Sequence, residues 1–159
     1  MRKREREIAD RAEIDAILAR AKVLRVAFAV EGEPYIVPLS HGYDARAGVL
    51  YVHTAVEGRK IVCIEANPRV CFEAEGDMAV KAGDRRGCSW SLLYESVIGH
   101  GTFREVVDAE EREKALRRIM RQQSGRNEDW SFAPKVVEVT RVWALEIESV
   151  TGKRSGPSS

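Results

Sequence analysis

Residues 51–60 read Y-V-H-T-A-V-E-G-R-K, and the rest of the chain is read outward from them. The stretch enters as a strand, because Val49, Leu50, Tyr51 and Val52 are apolar residues, mostly with strong β preference. It turns at Thr54 and becomes helical through residues 61–66, where Asn67-Pro68 stops it. The junction therefore sets Thr54, Gly58, Arg59 and Lys60 around a helix start. Unpaired backbone N–H groups at such a start favour an anion, and two cations add to the attraction. A hydroxyl, a glycine that permits close approach and an Arg-Lys pair suit a phosphate. The competing reading is a solvated strand–helix turn.

Upstream, Asp10-Arg11-Ala12-Glu13 reads as a capping box opening a short amphipathic helix with Ile14, Ile17, Leu18 and Ala21 on one face. Residues 22–30 and 35–42 form a hairpin around Gly32-Glu33-Pro34. Pro38 cannot donate to a ladder, so it belongs on an edge or bulge, where backbone groups of Val37, Leu39 and Ser40 stay free. An ordinary bulge and a ligand-facing edge both fit.

Downstream, residues 69–76 alternate as a strand, with Val70, Phe72 and Ala74 on one face and Cys71, Glu73 and Glu75 on the other. Residues 77–91 read as a long loop. Residues 92–107 read as a long strand bent at Gly99 and Gly101. Asp108-Ala109-Glu110-Glu111 opens a second helix with Ala115, Leu116, Ile119 and Met120 on its apolar side. A polar loop over 124–134 and a last strand over 135–150 follow, and the tail from Gly152 reads as disordered. Strands outnumber helices and no β-α-β alternation is sustained. The expected class is mainly β: an antiparallel barrel, closed or nearly so, with helices outside, in a single domain.

Composition narrows the function. The 159 residues, 44% hydrophobic, allow a real core without metal or disulfide support. Lys+Arg of 26 against Asp+Glu of 25 lacks the basic excess that nucleic-acid binding needs. The basic run Arg2-Lys3-Arg4 and the arginines of 112–121 are interleaved with glutamates, as on solvated helix faces. Cys63, Cys71 and Cys88 form no C-x-x-C and fit reduced thiols in the cytoplasm. No signal-peptide core and no run of 18 apolar residues occurs, so neither secretion nor membrane spanning is expected.

Among chemistry-bearing residues, His53 ends a strand beside the Gly-Arg-Lys turn and shares a face with Tyr51. It suits hydrogen-bond donation or proton shuttling near neutral pH, or a structural role. His41, His53 and His100 lack the close spacing and acidic partners of a metal site. Cys88 lines a pocket or is incidental to its loop. Trp130 and Phe132 stack on a planar ligand or pin their loop to the core. No G-x-S-x-G, G-x-G-x-x-G or Walker loop is present.

The ordered set P-Y-I-V-P-L-S (34–40), Y-V-H-T-A (51–55) with G-R-K (58–60), N-P-R-V-C-F (67–72), Cys88, Y-E-S-V-I-G-H-G (94–101) and T-G-K (151–153) resembles a known family. It is the nitroimidazole-resistance branch of the pyridoxamine 5′-phosphate oxidase-like flavin proteins, and the likeness runs over residues 2–153. The resemblance implies a split β-barrel that dimerises with FMN at the subunit interface. It further implies that backbone around Val37, Pro38, Leu39 and Ser40 meets the flavin ring, and that Thr54, Gly58, Arg59 and Lys60 hold the phosphate. Cys88, Tyr94 and Ser96 would come from the partner subunit or close the pocket, and His53 would sit near ring and substrate. The implied activity is an FMN-dependent reduction of small planar acceptors such as nitroaromatics, with a nicotinamide cofactor as reductant. The other expectations are an FMN carrier or sensor without turnover, and a haem-handling barrel with His53, His41 or His100 as axial ligand. The pyridoxamine-phosphate substrate site of the true oxidases is not recognisable.

Overall fold

Apolar residues in the 49–52 run alternate between two interiors, which sets the architecture. Leu50 and Val52 face the main core, while Val49 and Tyr51 face a second cluster with Ala115, Leu116 and Ile119. A strand buried on both faces needs no polar alternation, hence the unbroken V-L-Y-V. The computed structural model describes residues 4–156. Arg2 and Lys3 of the basic N-terminal run, and the last residues of the expected tail, lie outside the described residues.

A 3₁₀ turn, Arg4–Arg6, precedes β1 (Glu7–Ile8) and α1 (Arg11–Arg20). The chain continues as β2 (Leu24–Val30), β3 (Glu33–Leu39), β4 (His41–Asp44), β5 (Val49–Ala55), α2 (Arg59–Ala66) and β6 (Arg69–Lys81). A second 3₁₀ turn (Gly87–Ser89) leads to β7 (Ser91–Glu105), α3 (Ala109–Ser124), α4 (Pro134–Glu138) and β8 (Thr140–Ser155). Among the described residues, eight strands form one antiparallel sheet of order β3-β2-β6-β7-β8-β5-β4, with β1 added to β8. The end strands β3 and β4 are consecutive in the chain and separated by Ser40 alone, so the sheet curls until its ends adjoin. This is the split-barrel arrangement.

Inside the curl, Phe28, Phe72, Leu24, Leu50 and Leu145 are fully or almost fully buried, and α1 caps one opening with Ile14, Ile17 and Leu18. Asp10 starts α1 by accepting from the Ala12 N–H at 2.9 Å. Asp108 starts α3 likewise, accepting from Glu111 N–H at 2.8 Å, and Gly125 ends it at φ +71°. The second cluster fills the space between α3 and the outer face of β5 and β8. The bend expected at the glycines of β7 is present as a register shift between His100 and Gly101. No helix among the described residues is long and apolar enough to cross a membrane.

Four expectations are corrected. The strand expected over 35–42 breaks at Ser40, giving β3 and β4; Pro38 stays in ladder register opposite Arg25 on an edge strand. The loop expected over 77–91 shrinks to 82–90, because Met78, Ala79 and Val80 pair with Tyr94, Leu93 and Leu92. The strand expected from Lys135 starts only at Thr140: Pro134 sits at a helix start and Pro134–Glu138 is helical. The tail is not disordered from Gly152, since β8 runs to Ser155 opposite Tyr94. In each case pairing or capping by distant residues overrides a locally ambiguous stretch.

Candidate functional site

The strand–helix junction is built by Gly58. Its φ of +124° is a conformation that side chains rarely adopt, and it stands as N-cap of α2. No side chain caps this helix, so its first-turn N–H groups have no side-chain acceptor. Arg59, exposed, and Lys60, half-buried, follow directly. Among the described residues no carboxylate lies within ion-pair distance of either cation. In a chain where most arginines are paired, two adjacent unpaired cations at an uncapped helix start are unusual. Their potential favours an anion there.

The junction leans on the sheet edge. The Arg59 guanidinium lies over the Tyr35 ring, 4.4 Å from its centroid, and that ring stacks on Phe28 at 6.0 Å. Asn67, at the end of α2, donates from Nδ2 to the Ala29 carbonyl at 3.0 Å. α2 is therefore tied to the β2–β3 hairpin at both ends. Among the described residues β3 pairs only with β2, so its other side is open. Pro34 and Pro38, four residues apart and alike in orientation, suit positions whose nitrogens face away from β2. Val37 is half-buried against the core, Leu39 is buried, and Pro38 and Ser40 are exposed. The structure thus brings Arg59 to the edge strand that carries Val37, Pro38, Leu39 and Ser40.

Thr54 is placed differently from these. It is 4% exposed; its hydroxyl accepts from Trp143 Nε1 at 3.1 Å and donates to the Ala55 carbonyl at 2.8 Å. Its side chain is engaged beneath the junction. His53, on the opposite face, is exposed at the strand end. It forms one wall of a cavity of about 170 Å³ shared with Ile119, Phe132, Val136 and Thr140. Partial burial lowers the His53 pKa, and the Lys60 charge lowers it further, so the imidazole is neutral at pH 7.

Cys88 is exposed in the 3₁₀ turn at the tip of the β6–β7 hairpin. Tyr94 and Ser96 are half-buried on β7, with Lys153 Nζ 5.9 Å from the Tyr94 ring centre. Among the described residues, no hydrogen bond, ion pair or ring contact joins these three to His53, Arg59 or Lys60. Sequence reasoning missed Tyr35 as the support of Arg59: a cation–aromatic contact between distant residues leaves no local pattern. Among the described residues, no group of His, Cys, Asp and Glu could hold a metal ion.

A family model described as pyridoxamine 5′-phosphate oxidase matches residues 10–154. The chain belongs to this family. Within the pyridoxamine 5′-phosphate oxidase family, the chain resembles a candidate 5-nitroimidazole antibiotic resistance protein from Bacteroides thetaiotaomicron. The two are 30% identical with a TM-score of 0.80, over 93% of this chain and 86% of that one. The fold is also similar to that of an FAD and heme binding protein from Mycobacterium smegmatis, at 19% identity, TM-score 0.78, and 96% and 74% coverage. An FAD-binding protein from Mesorhizobium loti is similar at 24% identity, TM-score 0.68, and 95% and 98% coverage. A search of curated protein sequences finds no match.

Proposed function

We propose that this member of the pyridoxamine 5′-phosphate oxidase family is a homodimeric, FMN-dependent oxidoreductase that reduces small planar acceptors, nitroaromatic compounds among them. One observation carries the reading: Arg59 and Lys60 stand unpaired at the uncapped start of α2, against the open edge of β3. Charge, backbone donors and a neighbouring edge fit a phosphate joined to a flat ring. Bound FMN supplies the electron transfer. Arg59 and Lys60 hold its phosphate, and the backbone of Val37–Ser40 meets its ring edge. His53, neutral at working pH, offers the acceptor one hydrogen bond and orients it. The candidate nitroimidazole resistance protein supports the acceptor class. A nicotinamide cofactor is the reductant, and the three free cysteines fit a reducing cytoplasm.

Cys88, Tyr94 and Ser96 are supplied by a second subunit. Two observations support this: within one chain they do not contact the junction, and their hairpin exposes Met78, Val80, Leu92 and Ile98 together. The deciding experiment is the visible spectrum and mass of what co-purifies. A yellow protein that bleaches with reductant and releases FMN agrees with the reading. A colourless protein that takes up no added FMN refutes it. In the double variant Arg59→Ala/Lys60→Ala, FMN affinity falls by several kcal/mol, at about 1.5–3 per charged hydrogen bond. Unchanged affinity would place the phosphate elsewhere.

A further inference from the structure

A second cleft runs from between α3 and α4 inward to His53. Its outer part, about 560 Å³, lies between α3 and α4. Its inner part is the cavity of about 170 Å³ beside His53. The two share Leu116, Phe132 and Val137 as walls. The combined size suits a small organic ligand.

Arg112 on α3 faces the outer part. Its Nη2 donates to the Thr140 carbonyl at 2.8 Å, but its Nε is buried without a partner. Among the described residues no carboxylate lies within ion-pair distance of it. Glu105, which feels its charge, is held by Arg141 at 2.7–2.8 Å. Glu113, at the cleft mouth, is bound to Arg117 at 2.7 Å, and Arg117 also pairs with Asp129. Glu138, also at the mouth, makes no ion pair with Arg112 among the described residues. A guanidinium at the wall of a partly apolar cleft, with no carboxylate among the described residues to neutralise it, attracts an anion, and a carboxylate satisfies its fork best. The neighbouring walls are apolar, with an aromatic ring.

We infer that this cleft binds a small amphipathic carboxylate, its anionic end on Arg112 and its apolar body against Leu116, Phe132 and Val137. The inference rests on Arg112 and the cleft walls. It shares with the flavin reading only the cavity beside His53, and the titration reads binding whether or not FMN is bound. It is tested by titrating the full-length protein, as purified, with 4-phenylbutyrate and with the neutral 4-phenylbutanol, following amide chemical shifts. The expected result is saturable shifts at Leu116, Phe132 and Val137, with the acid binding at least tenfold tighter than the alcohol. Arg112→Gln should bring the acid down to the alcohol's affinity and leave the alcohol unchanged. Equal binding of acid and alcohol to the unaltered protein overturns the proposal without any variant. So does the absence of shifts at the cleft up to millimolar acid. Should loss of the Thr140 contact prevent Arg112→Gln from folding, Arg112→Lys keeps the charge without the fork. It should then weaken the acid at least threefold; undiminished binding overturns the role of the fork.

Discussion

Tyr35 acts by holding another residue still. A guanidinium resting on its ring loses less freedom when it takes up a phosphate than one waving in solvent. Replacing Tyr35 with Leu should weaken FMN binding by about 0.5–1 kcal/mol, the usual worth of an exposed cation–aromatic contact. Tyr35→Phe should bind as the parent does; fluorescence quenching on FMN titration measures both. His41 offers a separate prediction, on stability. It is fully buried, and both Gln122 Nε2 hydrogens go to the Leu18 and Ala21 carbonyls. Its Nε2 lies 2.8 Å from Gln122 Nε2 and 3.2 Å from the Leu18 carbonyl, and its Nδ1 is left without a partner. Burial disfavours the charged ring more than the Leu18 carbonyl favours it, and lowers the His41 pKa from 6.5 to about 4. The unfolded chain takes up that proton first as pH falls. The contribution is whole above pH 6.5 and lost between 6.5 and about 4, amounting to about 3 kcal/mol. Urea unfolding at pH 7 and pH 4.5 should show this loss, and His41→Asn should reduce it.

At the scale of elements, α3 organises one side of the barrel. Its Gln122 accepts from the Tyr43 N–H at 2.7 Å and donates to two carbonyls at the end of α1, while Gln123 donates to the His41 carbonyl at 3.0 Å. One helix thus ties α1 to β4. The close approach depends on Gly42, where an added Cβ would lie 2.6 Å from the Arg118 carbonyl carbon and 2.5 Å from Ile119 N. Backbone cannot yield as a side chain tip can. Gly42→Ala should push α3 off β4 and cost about 1–3 kcal/mol, read from the urea midpoint. Undiminished stability would mean that the helix shifts freely, and the two glutamine clamps would then be loose. The capping residues Asp10 and Asp108 were legible in the chain because caps act within a few residues. The short α4 was not, because its V-V-E-V run suits a strand equally well until Pro134 is seen at a helix start.

At the scale of the molecule, the exposed face of the β6–β7 hairpin is the proposed subunit contact. Met78 pairs with Tyr94 and Val80 with Leu92, and Ile98 follows on the same face, so their side chains form one patch. A charge there should have no partner in an apolar interface. Ile98→Asp should shift sedimentation from dimer to monomer and release FMN in parallel, since the dimer would supply part of its site. A variant that remains dimeric would assign the contact to another face.

The sequence by itself determined the strand-rich class, the capped helix starts, the edge character of Pro38 and the Gly58-Arg59-Lys60 turn. Each of these is set by neighbours a few residues apart, through dihedral limits, missing donors and alternating apolarity. Only the tertiary structure decided that Arg59 rests on Tyr35, that Thr54 is spent on Trp143, and that 78–81 and 152–155 are strand. It also decided that Arg112 faces a cleft with its Nε unmet. Those outcomes depend on which distant segments the curled sheet brings into contact, and the energy of such contacts is absent from any local window of the chain.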